Sequence, residues 1–387
     1  MGERLPRGIV ALGLVSLFMD MSSEMIHALL PLFLTGTLGA SVLVVGLIEG
    51  LGEATAQITK LFSGVSSDRS GRRKPLAVLG YGLSAVTKPL FALAGAPSLV
   101  LGARLADRIG KGIRGAPRDA LVADLVPPAQ HGAAYGLRQT MDTVGAIAGP
   151  LIAIALMALL AGNIRAVFAY AIIPAVIAVA ILVLFVHEPA VKAPPKVRPR
   201  LNRANLALLG PGVRIAIWLG VAMTMARFSE AFLILRASEV GLSAVWLPMV
   251  LVMMNLIYAF SAWPVGVLSD RIGKTGLLIL GFAVLVGADL VLAMGQGLAP
   301  VMLGIALWGL HMGLTQGLLS ALVAGAAPAA LRGTAFGLYN LATGLALLAA
   351  NALAGALWAG LGSQATFLVG AGFALLAMTG LLVRHRI

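Results

Sequence analysis

The sequence predicts an all-α integral membrane protein of twelve transmembrane helices, built as two similar six-helix bundles. Three observations predict it. The 387-residue chain is 59% hydrophobic and only 11% charged, where soluble domains carry roughly a quarter of their residues as charges; its mean hydropathy is +0.97. Its apolar stretches recur at the length that crosses a bilayer, about 20 residues per helix. A short polar loop also returns in the second half at the place it holds in the first. Gly64-Val-Ser-Ser-Asp68-Arg69-Ser-Gly71-Arg72-Arg73 is answered by Gly266-Val-Leu-Ser-Asp270-Arg271-Ile-Gly273-Lys274.

Taken in order, the first six spans fall near 8–34, 42–64, 75–95, 98–119, 133–160 and 163–186. The second six fall near 211–235, 243–268, 275–294, 299–324, 333–359 and 362–383. The first is too long for a cleaved signal, carries Asp20 and Glu24, and lacks a small-residue cleavage site. Forty-seven glycines suit helices that approach closely in lipid. With no cysteine, the chain has neither a disulfide framework nor a thiolate metal site.

The net charge of +13 belongs to topology and not to nucleic acid, because the basic residues lie mostly in short loops. Arg4, Arg7, Arg69, Arg72, Arg73, Lys74, the basic residues near 192–203, Arg271, Lys274, Arg332, Arg384 and Arg386 fall on one face, against Arg165 and Arg236 on the other. The positive-inside rule puts that face, with both termini, in the cytoplasm of a bacterial-type inner membrane.

The linker at 188–210 is rich in proline and base, and it separates 1–187 from 211–387. The halves are related beyond the loop. Ala120-Leu-Val-Ala123, Pro127, Gly132 and Tyr135-Gly-Leu137 correspond to Ala321-Leu-Val-Ala324, Pro328, Gly333 and Phe336-Gly-Leu338 at a constant offset of 201. Ser23-Glu24 corresponds to Ser229-Glu230. Parallel repeats of this kind place a transport site between the halves near the midplane.

Six plus six segments with these motifs resemble the major facilitator superfamily over essentially the whole chain. Its loop signature, Gly-x-x-x-Asp-Arg-x-Gly-Arg-Arg, runs from Gly64 to Arg73, with a degenerate copy at 266–274. Gly145-Ala-Ile-Ala-Gly149-Pro150 is similar to the superfamily's antiporter signature, familiar in drug–proton exchangers. Segment four resembles its arginine-bearing motif, with Arg104 in the arginine's place and Gly110 and Gly112 following, but with extra cations. The resemblance implies gating roles for Gly64, Asp68, Arg69, Gly71, Arg72, Gly145, Gly149, Pro150, Asp270 and Arg271, and a monomer as the default state. On physical grounds Asp68 is expected to latch onto Arg118, while Arg73 and Lys74 only fix topology.

Charges inside the spans carry most of the functional signal, because each costs at least about 2.5–3.5 kcal/mol on insertion scales unless paired or hydrated. Segment four holds Arg104, Asp107, Arg108, Lys111, Arg114 and Arg118 at three- and four-residue steps, one helical stripe. The matching second-half positions, Ile305, Trp308, Gly309, Met312, Thr315 and Leu319, are uncharged. Asp20, Glu24 and His27 share a face of segment one; Glu49, Glu53 and Lys60 share one of segment two. Arg138 and Asp142 lie one turn apart in segment five, and Arg227 and Glu230 in segment seven. Buried pairs such as Arg104–Asp107 and Arg138–Asp142 could be purely structural. Against that, so many buried charges are a poor source of stability.

These residues predict a secondary transporter working by alternating access, with Asp20, Glu24 and Glu230 as proton-coupling candidates. Substrate-binding candidates are His27, Arg104, Asp107, Arg108, Lys111, Arg138, Asp142, Arg227 and His311. The antiporter signature implies efflux by proton antiport. The cationic stripe favours an anionic or zwitterionic solute, whereas Asp20, Glu24 and His27 would suit a divalent metal ion or a cationic amphipath. Uptake of an organic anion by symport, efflux of a metal ion or its chelate, and a non-transporting sensor or lipid-moving protein stay open. The chain has no nucleotide-binding Gly-x-x-x-x-Gly-Lys-Ser/Thr loop. No enzyme, resident metal or cofactor is expected. The expected partners are a small solute, protons and lipid.

Overall fold

The computed structural model describes residues 5–70, 72–127, 130–188, 210–272, 274–326 and 332–385. The linker at 188–210 therefore lies, apart from its two ends, outside the described residues. Regular structure among the described residues is entirely helical, as a bilayer demands of a backbone that must satisfy its own polar groups.

The first half contains α1 (Arg7–His27), α2 (Val42–Ser70), α3 (Lys74–Leu93), α4 (Pro97–Asp124), α5 (His131–Leu159), α6a (Ile164–Tyr170) and α6b (Ile172–Phe185). The second contains α7a (Pro211–Ala226), α7b (Ala231–Glu239), α8 (Met249–Ile272), α9 (Lys274–Met294), α10 (Leu298–Ala326), α11 (Arg332–Leu361) and α12 (Ser363–His385). Ten helical stretches are long and apolar enough to cross a membrane, and Met249–Ala262 adds a shorter one. The twelfth span is α4, which its own charges keep below that threshold. The chain is thus a multi-pass protein of twelve helices. Segments two and four run on to Ser70 and Asp124, past their expected ends at 64 and 119, and segments seven and eight depart further.

The departures have local causes. Segment six breaks at Ala171, where Pro174 cannot donate to the Tyr170 carbonyl, and the Ser22 hydroxyl donates to the Ala171 carbonyl at 2.6 Å. Segment one continues past α1 through Leu30–Leu32 and a π-helical turn at Phe33–Thr37, next to Pro31. Segment seven, expected as one helix, unwinds over Arg227–Glu230. Side chains take up two of the freed backbone N–H groups there: Asn351 Oδ1 accepts from Ser229 N at 2.7 Å and Ser229 Oγ from Ala231 N at 3.2 Å. Segment eight begins at Met249 because Pro248 and a run of turns precede it.

Contacts group the chain into two units, Met1–Gly39 with Leu51–Lys196, and Ala40–Gly50 with Val197–Ile387. In the first, α1 packs on α5 and α6b, and α3 on α4 and α6b. In the second, α7a packs on α11 and α12, and α9 on α10 and α12. These are the same pairings six helices later. Register agrees as well: a Cβ on Gly80 would lie 2.6 Å from Arg114 N, and one on Gly281 would lie 2.4 Å from Thr315 Cγ2. Both positions differ by the sequence offset of 201, so the repeat is one of packing and not only of letters.

The first unit's core joins Leu12, Val15 and Met19 of α1 to Tyr81 of α3, Leu121 of α4 and Leu182 of α6b, all fully buried. Glycine lets the backbones of α1 and α5 touch. A Cβ on Gly145 would stand 2.5 Å from the Leu17 carbonyl oxygen, and one on Gly149 would stand 2.6 Å from that of Met21.

Candidate functional site

That glycine crossing sets the position of Glu24. A Cβ at Gly149 would come 2.8 Å from the Glu24 Cβ, so the small-residue motif of segment five fixes where this carboxylate stands. Glu24 pairs with His27, Oε2 to Nδ1 at 3.5 Å. Asp20, one turn earlier, faces Arg114 at 3.8 Å. Of the three residues sharing this face of α1, Asp20 thus meets the stripe of α4, while Glu24 and His27 pair with each other.

Segment four is held at backbone distance on two sides, by Gly110 against Gly80 and Ser84 of α3 and by Gly112 against Thr59 and Ala56 of α2. The Gly-x-Gly step therefore serves two neighbours at once, and the Ser63 hydroxyl reinforces it by donating to the Gly112 carbonyl at 2.8 Å. This packing orders the long cationic side chains between the helices. Arg104 and Arg108 run their stems past Gly52, where a Cβ would meet each Cγ at 3.2 and 3.3 Å. Arg108 ends on Glu53 at 2.9 Å, with Asp107 4.0 Å from its Nε. Arg114 lies 4.6 Å over the Tyr81 ring and donates to Ser84 Oγ at 3.3 Å. Lys111, midway along α4, is exposed and makes no hydrogen bond or ion pair among the described residues.

Asp107 is held by Lys88, a residue of α3 not singled out from the sequence. The pair is 3.0 Å apart and almost completely buried, and Lys88 Nζ also donates to Ser23 Oγ of α1 at 3.1 Å. The signal was present: a lone lysine among apolar residues in a membrane helix is a functional-site hypothesis by default. Arg138 and Asp142 form the expected pair in α5, with Asp119 3.9 Å from Arg138 Nε.

At the signature loop, Gly64 lies against Ala116 of α4, where a Cβ would make ordinary contact at 3.4 Å. The Asp68 and Arg69 side chains, Gly71, and the Asp270 and Arg271 side chains lie outside the described residues, so the proposed latch does too. Its intended partner, Arg118, donates to Asp119 at 3.1 Å and to Ser16 at 3.2 Å. Arg72 is exposed. Arg73 does more than orient the chain: it pairs with Asp124 at the end of α4 at 2.8 Å, and its backbone N–H donates to Glu188. Lys74 donates to the Val183 carbonyl at 2.9 Å. A charged loop packed beside helix ends recruits their free carboxylates and carbonyls as well as marking orientation.

The second unit is sparer. With the Gln316 amide turned to satisfy both its neighbours, its oxygen accepts from Arg227 at 3.0 and 3.3 Å and its nitrogen donates to Tyr258 at 3.3 Å. Glu230 makes no side-chain ion pair among the described residues. His311 is fully buried, its Nδ1 2.8 Å from the Gly281 carbonyl, and so ties α10 to α9. No three His, Cys, Asp or Glu side chains gather as metal ligands among the described residues. The chemistry available is that of a helix bundle with buried and partly exposed ion pairs.

The sequence pattern that describes the Major Facilitator Superfamily matches residues 12–350. An uncharacterized MFS-type transporter of Methanocaldococcus jannaschii is 33% identical over 386 residues, covering 97% of this chain and 94% of its own. The multidrug resistance protein MdtH of Yersinia pestis is 36% identical over 115 residues, 30% of this chain and 28% of its own. A solved POT family transporter in complex with 5-aminolevulinic acid shares the fold, with a TM-score of 0.81 at 15% identity and coverage of 98% and 96%.

Proposed function

Because the chain belongs to the Major Facilitator Superfamily of membrane transporters, we propose that it exchanges protons for a small anionic solute across a bacterial-type inner membrane. Glu24 and Asp20 carry the proton, and the α4 stripe receives the anion. Export is the direction that the Gly145–Pro150 motif supports, and the short stretch of likeness to a multidrug resistance protein points the same way. Both termini face the cytoplasm on the distribution of Lys and Arg.

Lys111 is the observation that carries this reading. Arg108, Arg114 and Arg118 each have a carboxylate partner, whereas Lys111 is exposed midway along the helix with none. An exposed ammonium with no hydrogen-bond or ion-pair partner among the described residues is the natural first contact for an incoming carboxylate or phosphate. Arg108 is a poorer test, because removing it would leave Glu53 without its buried partner.

A thermal-shift screen of the purified protein in detergent should compare organic anions, cationic amphipaths and divalent metals, since a ligand of the folded state raises apparent stability. Organic anions are expected to stabilise. Lys111→Gln should then weaken the selected anion about ten- to a hundredfold, as losing a charge-assisted hydrogen bond implies, without lowering the melting temperature of the unliganded protein. Equal weakening of anions and cations would sink the anion assignment.

A further inference from the structure

The repeat places a complete buried ion pair in the first unit and half of one in the second. Lys88 of α3 and Asp107 of α4 stand 3.0 Å apart. At the offset of 201 their counterparts are Asp289 of α9 and Trp308 of α10. The two helix pairs pack in the same register, with Gly80 against Arg114 and Gly281 against Thr315. Asp289 therefore takes the lysine's place, and an indole stands where the counter-charge would be. Both residues are fully buried. Neither carboxylate oxygen of Asp289 nor the Trp308 Nε1 has a hydrogen-bond partner among the described residues.

The backbone beside Asp289 is unwound. Helix α7a ends at Ala226, and no backbone N–H among the described residues donates to the Ala226 carbonyl. A Cβ on Gly370 of α12 would lie 2.9 Å from Asp289 Oδ2, 3.1 Å from the Phe228 ring and 3.3 Å from that carbonyl oxygen. One small space, left open by a glycine, is thus bordered by an unpartnered carboxylate and a free carbonyl. Trp308 and Phe367 pack on Phe228 with ring centroids 5.5 Å away. Of the ionisable groups on the surrounding elements, Arg227 and Glu230 flank the break, partly exposed, and His311 is turned to Gly281. Arg236 of α7b is engaged by the Leu292 carbonyl of α9, the Gly295 carbonyl just past its end, and Glu239. None of them forms a hydrogen bond or ion pair with Asp289 among the described residues.

We propose that Asp289 is a proton-binding site of the second unit, exchanging its proton with water through the break in segment seven. A lone ionised carboxylate among aromatic rings has nothing to offset its lost hydration. The neutral acid needs one acceptor for its hydroxyl, and the Ala226 carbonyl is the free one at hand. Phe228, Trp308 and Phe367 supply no oxygens, so a metal ion would find only the Asp289 carboxylate and the Ala226 carbonyl, fewer oxygens than a hard cation takes. The step is a proton transfer alone: the carboxylate takes H⁺ from water and returns it. The break is the only departure from helix in segment seven, which otherwise runs from Pro211 to Glu239 among the described residues, and its position beside an unpaired acid gives it a use. Unwound half-helix ends serve ion sites in other transporter folds. The site is independent of Glu24, and it stands whether or not Glu24 couples transport.

Infrared spectra of the purified, full-length protein in detergent, in H₂O and in D₂O, test this directly. The wild type should show the carbonyl stretch of a protonated carboxylic acid, shifting within the time of buffer exchange into D₂O. Asp289→Asn should remove that band and Glu24→Gln should leave it. A spectrum unchanged by Asp289→Asn would overturn the proposal. So would a band that never exchanges, which marks a sealed structural acid, or one that disappears when sodium chloride replaces choline chloride, which marks a metal ion site. Should Asp289→Asn not fold, Asp289→Glu must move the band, and an unmoved band overturns the proposal equally.

Discussion

Replacing Lys88 with alanine is expected to destabilise the protein by about 3–5 kcal/mol, the range measured when one partner of a buried pair is removed. Lys88 and Asp107 are 1% and 5% exposed at the side chain, so no water reaches in to solvate the abandoned carboxylate. Arg108 offers Asp107 only a contact at 4.0 Å, and it is already engaged by Glu53 at 2.9 Å. The Ser23 hydroxyl loses its ammonium donor in the same step, which loosens α1 from α3. The loss should appear as a large drop in denaturation temperature in detergent. The double variant Lys88→Met with Asp107→Leu separates charge burial from packing. A buried pair exchanged whole for apolar side chains is often neutral or stabilising, so the double variant should recover most of the loss. If Lys88→Ala melts like the wild type, the pair does not organise the packing of α1, α3 and α4.

Glu24→Gln should abolish proton-driven transport while leaving the fold intact. Glutamine keeps the shape that packs on Gly149 but cannot exchange a proton. Glu24 has no arginine or lysine bonded to it; its bonded partner is His27 at 3.5 Å, and a quarter of its side chain is exposed. Asp20, in contrast, leans on Arg114 at 3.8 Å. A carboxylate with a neutral-capable partner and access to water can change protonation without breaking a strong ion pair. The measurement is accumulation, under a pH gradient, of the anion that the thermal-shift screen selects. It should fall to the level seen with a protonophore, at unchanged melting temperature. Undiminished accumulation would remove Glu24 from the mechanism.

The twelve spans and the duplication could be read from the chain because hydropathy and repeated polar residues are one-dimensional signals. The stripe of α4 was legible for the same reason: six ionisable residues at helical spacing announce a face. Lys88 and Asp289 give no such pattern. Each stands alone in an apolar helix, and its meaning depends on what a neighbouring helix presents. That information is carried in sequence only by the offset that pairs 88 with 289 and 107 with 308. The break at Arg227–Glu230 contains neither proline nor glycine. It is held open by Asn351 from a helix more than a hundred residues away, so local propensity has no means of marking it. Arg73 shows the reverse limit. The positive-inside rule assigns its side of the membrane, but its pairing with Asp124 comes from the packing of α4 on α3.

Coupled transport of an anionic solute is tested most directly in proteoliposomes that hold the purified protein and the screen-selected anion. Imposing a pH gradient should drive that anion against its own concentration gradient, in the direction opposite to proton flow, and a protonophore should abolish the movement. Accumulation in the same direction as the protons would replace exchange with symport. An anion that binds, and stabilises the protein, yet never moves uphill under a gradient of either sign would contradict the account and leave a ligand-binding membrane protein in its place.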